Sequence, residues 1–189
     1  MVRKLINKKM NEVEIKRISK FLSLILRHQP QSINLKLDEN GWADVNELII
    51  KSAKSRIRFT IEELNEVVEK NNKKRFAFNE DHTKIRASQG HSIAIDLALK
   101  PQQPPEFLYH GTARANIASI LDNGIEKRSR QHVHLSSDKE TAVKVGSRHG
   151  EPVVLTIRTG KMHTDGILFY QSENGVWLTD YVNTKYISK

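Results

Sequence analysis

The stretch RFAFNEDHTKIRA, residues 75–87, decides the fold of the first half of this chain. Its two ends, RFAF (75–78) and KIRA (84–87), are short runs whose successive side chains would point to opposite faces, as in a β-strand. The residues between them, NEDHT (79–83), are polar turn formers, so the stretch predicts a β-hairpin. Because the preceding sequence has helical periodicity, helices and strands occur in one region, which indicates an α+β protein.

Three helices are predicted upstream of this hairpin. Over residues 12–27 apolar side chains recur at three- and four-residue steps and form one stripe, as in an amphipathic helix. Asp44 and Glu47 have the spacing of a capping box and mark the start of a second helix. Thr60 and Glu63 repeat this spacing and mark a third. Three helices followed by a basic hairpin resemble a winged-helix module, whose wing side would carry Lys73, Lys74, Arg75, Lys84 and Arg86.

A proline-rich stretch divides the chain into two predicted domains. Residues 96–106 contain three prolines within five positions, a density that neither a helix nor a central strand sustains. We therefore predict a domain at 1–95, a linker at 96–106 and a second domain at 107–189.

The second domain alternates short strands with helices, which also predicts an α+β arrangement. One helix would begin at Thr112, directly after the strand FLYH (107–110), and would be stopped by Gly124. Another would be capped by Ser137 together with Glu140. Further strands are predicted at HVHLS (132–136), at PVVLTIRT (152–159), and in a hairpin that turns at Asn174–Gly175.

The positive charge of the protein is concentrated in its first half. The 189 residues carry a formal net charge of +9. Residues 1–95 hold 19 Lys and Arg against 12 Asp and Glu, whereas residues 96–189 hold 12 against 10. Such asymmetry indicates an anionic partner, of which nucleic acid is the usual one. The alternative is that the charge serves solubility alone.

The composition also bears on the compartment and on the available chemistry. The absence of cysteine excludes disulfides, thiolate metal sites and cysteine nucleophiles. No apolar run approaches the roughly 20 residues of a spanning helix, so no membrane partner is expected. The first residues, MVRKLINKKM, are basic but lack the apolar segment and cleavage site of a secretory signal. We therefore expect a cytoplasmic protein.

The segment LILRHQP, residues 24–30, ends the first predicted helix with two basic residues before a proline. Arg27 and His28 have a purely structural explanation, because cations in the last turn interact favourably with the helix dipole and proline commonly follows. They also have a functional explanation, in which the helix end projects both side chains toward an anion. The segment alone leaves both explanations open.

Two histidine-bearing stretches stand out in the second domain. In YHGT (109–112), His110 would end a strand, and the glycine after it would let a ligand approach the backbone closely. In SRQHVHLS (129–136), His132 and His134 would share one face of a strand and could both bind zinc. Zinc usually takes at least three protein ligands, and the chain has neither an H-E-x-x-H motif nor cysteine, so we predict no metal site.

Seven short stretches follow one another in a specific order between Leu26 and Thr179, within a similarity that runs from about Ile18 to Leu178. They are LRH (26–28), NGW (40–42), KKRF (73–76), ASQGHS (87–92), YHGT (109–112), SRQHVHLS (129–136) and VWLT (176–179). This ordered set resembles the RNA 2′-phosphotransferase family, the enzymes that remove a splice-junction 2′-phosphate from tRNA. The specificity lies in the set and its order rather than in any one stretch.

The resemblance implies a fold, a reaction and partners. The first domain would be a winged-helix, RNA-binding lobe, and the second an ADP-ribosyltransferase-like, NAD-binding lobe. NAD+ would be a consumed co-substrate, and no metal would be needed. The RNA 2′-phosphate would first be ADP-ribosylated as nicotinamide leaves, and transesterification would then release RNA with a 2′-hydroxyl and ADP-ribose 1″,2″-cyclic phosphate. The expected partner is RNA bearing an internal 2′-phosphate, and the expected state is a monomer.

The resemblance also implies catalytic residues. The essential Arg-His-Arg-Arg set of the family falls by motif on Arg27, His28, Arg75 and Arg130. We expect the three arginines to hold the transferred phosphate, because a guanidinium is permanently charged and contacts phosphate oxygens in a bidentate manner. His28 would donate or accept a proton, or hydrogen-bond to the ribose, because histidine titrates near neutrality.

The cofactor motif of the family falls on His110, Gly111 and Thr112, and its second strand motif supplies His134 and Ser136. From the resemblance we expect the Gly111 backbone to hold the nicotinamide amide. His110 would contact the ribose on the adenosine side.

Three other functions suit parts of the pattern. Residues 12–87 alone would suit a DNA-binding regulator with a ligand-sensing second lobe, which would bind a duplex without consuming NAD+. An enzyme that attaches ADP-ribose to nucleic-acid phosphate ends or to protein would leave a stable ADP-ribosylated product. Protein modification is disfavoured because Val176 and Trp177 stand where many protein-modifying relatives of this lobe have a glutamate. Metal-dependent hydrolysis would be abolished by a chelator.

Overall fold

The computed structural model describes residues 10–188, and the chain divides into two compact units, Met1–Ala87 and Ser88–Lys189. The first nine residues, part of the segment in which no secretory signal is expected, lie outside the described residues. Helices and antiparallel sheets occur in both units, in agreement with the predicted α+β class. No helix among residues 10–188 combines the length and the apolar character needed to cross a membrane.

The first unit is built around the helices α1 (Glu12–Arg27), α2 (Val45–Lys54) and α3 (Ile61–Glu69). The predicted capping box at α3 is confirmed, because Thr60 and Glu63 exchange side-chain to backbone hydrogen bonds. Asp44 caps α2 by accepting from the Glu47 amide at 2.7 Å. The apolar faces of the helices meet in one core, in which the fully buried side chains include Leu22, Ile25, Leu26, Leu48, Leu64 and Ile85.

The hairpin predicted at residues 75–87 is confirmed. The first unit contains the strands β1 (Ala43–Asp44), β2 (Phe76–Phe78) and β3 (Lys84–Ala87). They form an antiparallel sheet in the order β1-β3-β2, in which Ala77 pairs with Arg86. Ile85 in the central strand is fully buried and attaches the sheet to the helical core.

The second unit contains two three-stranded antiparallel sheets and a two-stranded one. Its longer strands are β4 (Leu108–Ala113) and β7 (Pro152–Ile157), and its helices are α4 (Ile117–Asn123), α5 (Lys139–Gly146) and α6 (Thr159–Thr164). The shorter strands are β5 (Ile125–Glu126), β6 (Val133–Leu135), β8 (Tyr170–Gln171), β9 (Trp177–Thr179), β10 (Tyr181–Val182) and β11 (Ile187–Ser188). The sheet orders are β11-β7-β4, β6-β9-β8 and β10-β5.

An isolated bridge joins β4 to the end of β6. The amides and carbonyls of Tyr109 and Ser136 exchange hydrogen bonds at 2.9 and 2.8 Å. The predicted turn at Asn174–Gly175 is also confirmed, because β8 pairs with β9 and Gly175 adopts φ +78°. The Tyr109–Ser136 bridge places the two histidine-bearing strands, β4 and β6, next to each other.

The helix start predicted at Thr112 is wrong. Strand β4 continues to Ala113, and α4 begins only at Ile117 after a short 3₁₀ turn. Thr112 pairs with Val153 of β7, and this pairing with a distant strand outweighs the local turn signal of the preceding glycine. His110 therefore lies in the middle of a strand and not at its end.

The cap predicted for α5 is also wrong. Asp138, and not Ser137, precedes the first helical residue, and its carboxylate accepts from the Thr141 amide at 2.7 Å. A carboxylate is a strong acceptor and complements the positive end of the helix dipole, so it is favoured over the neighbouring hydroxyl.

The segment predicted as a linker, residues 96–106, lies within the second unit and is hydrogen-bonded to later residues of that unit. The Gln102 amide donates to the Phe169 carbonyl at 2.8 Å. The Thr159 hydroxyl donates to the Pro105 carbonyl at 2.7 Å. The functional limits of the two predicted domains stay predictions.

Candidate functional site

Arg27 and His28 lie where α1 ends. Arg27 is the last helical residue, and the His28 amide closes the helix by donating to the Leu24 carbonyl at 3.0 Å. Pro30 then begins a short 3₁₀ turn. Both side chains are half-buried. The end of a well-packed helix therefore fixes the main chain that carries them.

Arg75 lies directly before β2 and next to Arg27. The Arg27 Nη2 atom donates to the Arg75 carbonyl oxygen at 3.5 Å, a long hydrogen bond between the end of α1 and the start of the hairpin. Two of the arginines predicted to hold phosphate are thus brought together within the first unit.

The other predicted wing cations differ in their surroundings. Lys84 Nζ is 3.2 Å from the Asp38 carboxylate, and the Arg86 guanidinium lies 4.4 Å from the centre of the Trp42 ring. Lys73 and Lys74 are exposed in the loop before Arg75. Lys84 and Arg86 therefore each contact the segment that precedes β1.

A cavity of about 420 Å³ in the second unit brings together five of the predicted site residues. They are His110, Gly111, Thr112, Arg130 and His134. The volume falls in the roughly 300–1,000 Å³ range of small-molecule sites. Sequence reasoning did not single out the other polar and basic residues that line it, which include Asn116, Ser119, Asn123, Lys127, Arg128 and His149. These residues lie in segments next to β4, β6 and β7, so their closeness in sequence to the predicted strands could have identified them as candidates.

A chain of hydrogen bonds connects three of the cavity residues. The Arg130 Nη1 atom lies 2.8 Å from the Nδ1 atom of His134. The carbonyl oxygen of His134 lies 3.2 Å from the Nδ1 atom of His110. The loop before β6, β6 itself and β4 therefore each contribute one member of a connected cluster.

The partners in these two hydrogen bonds determine whether each Nδ1 atom donates or accepts. A guanidinium only donates, so Nδ1 of His134 is the acceptor in this hydrogen bond. A carbonyl only accepts, so Nδ1 of His110 carries a proton and donates it to the His134 carbonyl. In its neutral form, His110 then presents Nε2 as an acceptor.

The surroundings keep His110 neutral. Burial lowers the pKa of His110 from its ordinary value of 6.5, the hydrogen bond to the His134 carbonyl opposes this effect, and the positive charge of Arg130 lowers the pKa further. A neutral imidazole that accepts at Nε2 can hold a hydroxyl group, such as one on a ribose.

We expect this depressed pKa to make the second unit less stable in acid. Between the lowered folded pKa and 6.5, the unfolded chain binds a proton on His110 that the folded chain does not, so stability falls as the pH falls through this window. Thermal melts of the wild type and of His110→Asn between pH 7.5 and pH 5.5 measure the effect. The wild type should lose more stability than the variant, in which an amide replaces the Nδ1 donor.

His132 also makes the fold less stable in acid, because burial lowers the pKa of His132, and it does so in both the wild type and the variant. The difference between the two melting curves therefore isolates His110. A wild type and a variant with the same loss of stability in acid would contradict the assignment of a neutral His110.

The main chain of Gly111 is open on one side of β4. The amide and carbonyl of Tyr109 bond to Ser136, and groups on alternate residues of a strand point the same way. Those of Gly111 therefore also point away from β7. In a regular antiparallel ladder the amide and carbonyl of Gly111 would hydrogen-bond to the main chain of His134. Here the His134 carbonyl instead hydrogen-bonds to the His110 ring. One donor and one acceptor thus face the side on which β4 and β6 diverge.

Thr112 and Ser136 have structural partners. The Thr112 hydroxyl accepts from Asn116 Nδ2 at 3.1 Å, and both residues line the cavity. Ser136 holds β4 against β6 through its main chain and is not among the residues lining the cavity. Ser136 therefore joins the two strands through its main chain, and Thr112 lines the cavity.

The two histidines considered for zinc have other neighbours. His132 packs against Tyr170 with a ring-centre distance of 5.9 Å, whereas His134 faces Arg130. Among residues 10–188 no group of three or more His, Asp or Glu side chains is arranged to hold a metal ion.

Comparisons with known proteins agree with each other. A protein-family model described as "RNA 2'-phosphotransferase, Tpt1 / KptA family" matches residues 13–181. A protein of Flavobacterium johnsoniae named "Probable RNA 2'-phosphotransferase" is 64% identical over 178 residues, which cover 94% of this chain and 98% of the relative. Proteins of the same name from Fusobacterium nucleatum and Acaryochloris marina are 55% and 53% identical. The matches cover 90% and 92% of this chain, and 96% of each relative.

Proposed function

The chain belongs to the RNA 2′-phosphotransferase, Tpt1/KptA family, and we propose that it transfers an internal RNA 2′-phosphate to ADP-ribose derived from NAD+. The observation that supports this proposal best is the cluster of Arg130, His134 and His110 beside the open main chain of Gly111. Arg130 supplies a permanent cation for a phosphate, and His110 supplies a neutral imidazole for a ribose hydroxyl. The main chain of Gly111 supplies a donor and an acceptor for a carboxamide.

The residues of the cavity fit NAD+. A carboxamide needs one donor and one acceptor, which the carbonyl and amide of Gly111 would supply. A pyrophosphate needs positive charge, which Lys127 and Arg128 would supply from the lining of the cavity. A ribose hydroxyl needs an acceptor, which His110 Nε2 would supply. NAD+, when bound, would provide the ADP-ribosyl group and be consumed to nicotinamide and ADP-ribose 1″,2″-cyclic phosphate.

The protein's own task in this reaction is to stabilise and orient phosphate oxygens. A phosphate monoester is already an anionic nucleophile, so the first need is to hold it without repulsion from a neighbouring pyrophosphate. We assign this role to Arg27, Arg75 and Arg130, because fixed guanidinium groups also stabilise the charge that develops during phosphoryl transfer. His28, at the helix end beside Arg27, would exchange a proton or a hydrogen bond with the reacting groups.

The two units have corresponding roles in the proposal. The helices and hairpin of the first unit would act as a winged-helix lobe that binds the RNA, and the second unit as an ADP-ribosyltransferase-like lobe. Thr112 would support the cofactor wall, and His134 and Ser136 would hold its second strand. The active form would be a cytoplasmic monomer that needs no metal.

One experiment tests the reaction directly. Purified protein is incubated with an oligoribonucleotide carrying a single internal 2′-phosphate, with NAD+, without NAD+, and with NAD+ plus a chelator. We expect dephosphorylated RNA and ADP-ribose 1″,2″-cyclic phosphate in both samples that contain NAD+, and neither product without it. Mass spectrometry of the RNA and of the small product identifies both.

The other outcomes identify the competing functions. A stable ADP-ribosylated RNA or protein would favour an ADP-ribosyltransferase. Duplex DNA binding without consumption of NAD+ would favour a DNA-binding regulator. Loss of activity with the chelator would favour metal-dependent hydrolysis. Each of these results would contradict the proposed reaction.

A further inference from the structure

The side chain of Asn71 makes hydrogen bonds to both the main chain and the guanidinium of Arg75. Asn71 follows α3 and is only 8% exposed. Its Oδ1 atom accepts from Arg75 Nη1 at 3.2 Å and from the Arg75 amide at 3.4 Å. The same oxygen accepts from the Lys73 amide at 3.2 Å. One buried amide therefore fixes both the start and the tip of this arginine.

The other end of the Asn71 amide is attached to α1. Its Nδ2 atom donates to the Ser19 hydroxyl at 3.2 Å. The same helix ends at Arg27, whose Nη2 atom donates to the Arg75 carbonyl at 3.5 Å. Asn71 and Arg27 therefore hold Arg75 against α1 from two sides.

The loop between Asn71 and Arg75 adopts a conformation that needs such support. Lys74 has φ +41°, in the left-handed region that side chains other than glycine seldom adopt. Its amide donates to the Asn71 carbonyl at 2.7 Å. The bonds of Asn71 to this loop help to hold this strained conformation and so set the position of Arg75.

We propose that Asn71 is a positioning residue that orients the Arg75 guanidinium for phosphate. The inference rests on the proposed function, in which Arg75 holds the transferred phosphate. A neutral amide suits this role because it directs the guanidinium without cancelling its charge. A carboxylate in the same place would make a stronger bond but would compete with the phosphate for the arginine.

Nuclear magnetic resonance tests the orientation without any activity. A held guanidinium rotates slowly and gives separate side-chain nitrogen signals, and the Arg75 signals are assigned by their loss in Arg75→Lys. We expect slow rotation in the wild type and averaged signals in Asn71→Ala. Unchanged Arg75 signals in Asn71→Ala would overturn the inference.

Kinetics test the consequence. Misplacing a catalytic group by about 1 Å can cost about 10²-fold in rate, so Asn71→Ala should lower kcat/KM for the 2′-phosphorylated RNA by about this factor and leave the KM for NAD+ unchanged. Because Asn71 acts through Arg75, the same substitution should have little further effect in an Arg75→Lys background. Asn71→Asp should fold normally and still have a higher KM for the RNA.

Asn183→Ala is the matched control. Asn183 also organises a turn through its side-chain amide, because its Oδ1 atom accepts from the Lys185 amide at 3.0 Å in the second unit, away from the cavity residues. This variant should lose stability without losing the Arg75 signals or activity. Equal losses of activity in Asn71→Ala and Asn183→Ala at equal stability would overturn the inference.

Failure of the inference can be told from failure of the proposed function. If the wild type converts the RNA and Arg75→Lys does not, full activity of Asn71→Ala overturns only the role of Asn71. If the wild type does not convert the RNA, the proposed function fails, and the resonance experiment still decides whether Asn71 orients Arg75.

Discussion

Replacing Arg130 by alanine is expected to lower the rate of NAD+-dependent RNA dephosphorylation by about 10²–10³-fold, as the loss of one fixed charge-stabilising donor commonly does. The reason is twofold. The variant lacks a cation at the wall of the cavity, and it also lacks the donor to His134 Nδ1 at 2.8 Å. Single-turnover rates with saturating NAD+ measure the chemical step without product release. Arg130→Lys should recover only part of the loss, because lysine restores charge but not the planar pair of donors.

A second measurement connects the loss to the site. Because the charge of Arg130 lowers the pKa of His110, removing the charge should raise the pKa of His110, and a titration followed by nuclear magnetic resonance records the change. Arg114→Ala is the control, since Arg114 pairs with Glu151 at 2.6 Å on the exposed surface of the same unit. It should keep wild-type activity. Full activity of Arg130→Ala would refute the role assigned to this arginine.

The parts of the fold that sequence reasoning predicted correctly depend on short-range interactions. The capping box of Thr60 and Glu63 and the turn at Asn174–Gly175 involve residues only a few positions apart, so the sequence contains all of their causes. The hairpin at 75–87 belongs to the same class. Helical periodicity over 12–27 likewise reports a single face of one helix, and α1 has those bounds.

The parts that it predicted wrongly depend on distant partners. The glycine before Thr112 is a local signal for a helix start at Thr112. The strand continues instead, because Thr112 pairs with Val153, which is distant in sequence. No local signal records that pairing. The choice of Asp138 over Ser137 as the cap of α5 depended on where the chain enters the helix, which neighbouring residues of similar propensity do not specify.

The candidate site shows the same division. The resemblance to a family identified His110, Arg130 and His134 as candidate site residues. It did not reveal the hydrogen bonds that join them, because one of these bonds is accepted by a main-chain carbonyl, which no sequence pattern identifies. Asn71 was missed because asparagine after a helix is usually read as a cap or turn residue. Its function became visible only when its amide was found on Arg75 and Ser19.

The second large effect is expected at Gly111, whose replacement by alanine should destabilise the second unit by about 3 kcal/mol, the upper end of what overpacking commonly costs. A Cβ atom there would lie 1.7 Å from the Ala142 carbonyl oxygen of α5. On the facing side, a Cβ atom on Gly146 would lie 2.8 Å from the Thr112 carbonyl oxygen. Helix α5 thus packs backbone to backbone against β4, and no side-chain movement can relieve the overlap.

Thermal melting checks this expectation, with a fall in Tm of roughly 10 °C for a loss of this size. Gly166→Ala is the control: Gly166 has φ +87°, a conformation that favours glycine and that Gly111 does not share, but a Cβ atom on Gly166 would meet nothing within 4 Å. It should cost only the strain of a left-handed residue, about 1 kcal/mol. If Gly111→Ala melted no lower than Gly166→Ala, α5 would not lie against β4. In that case Gly111 would be needed only to let a ligand approach the main chain. The overlap with the Ala142 carbonyl indicates instead that glycine is needed at this position for the packing of α5 against β4, and that this packing shapes the cavity wall at Gly111.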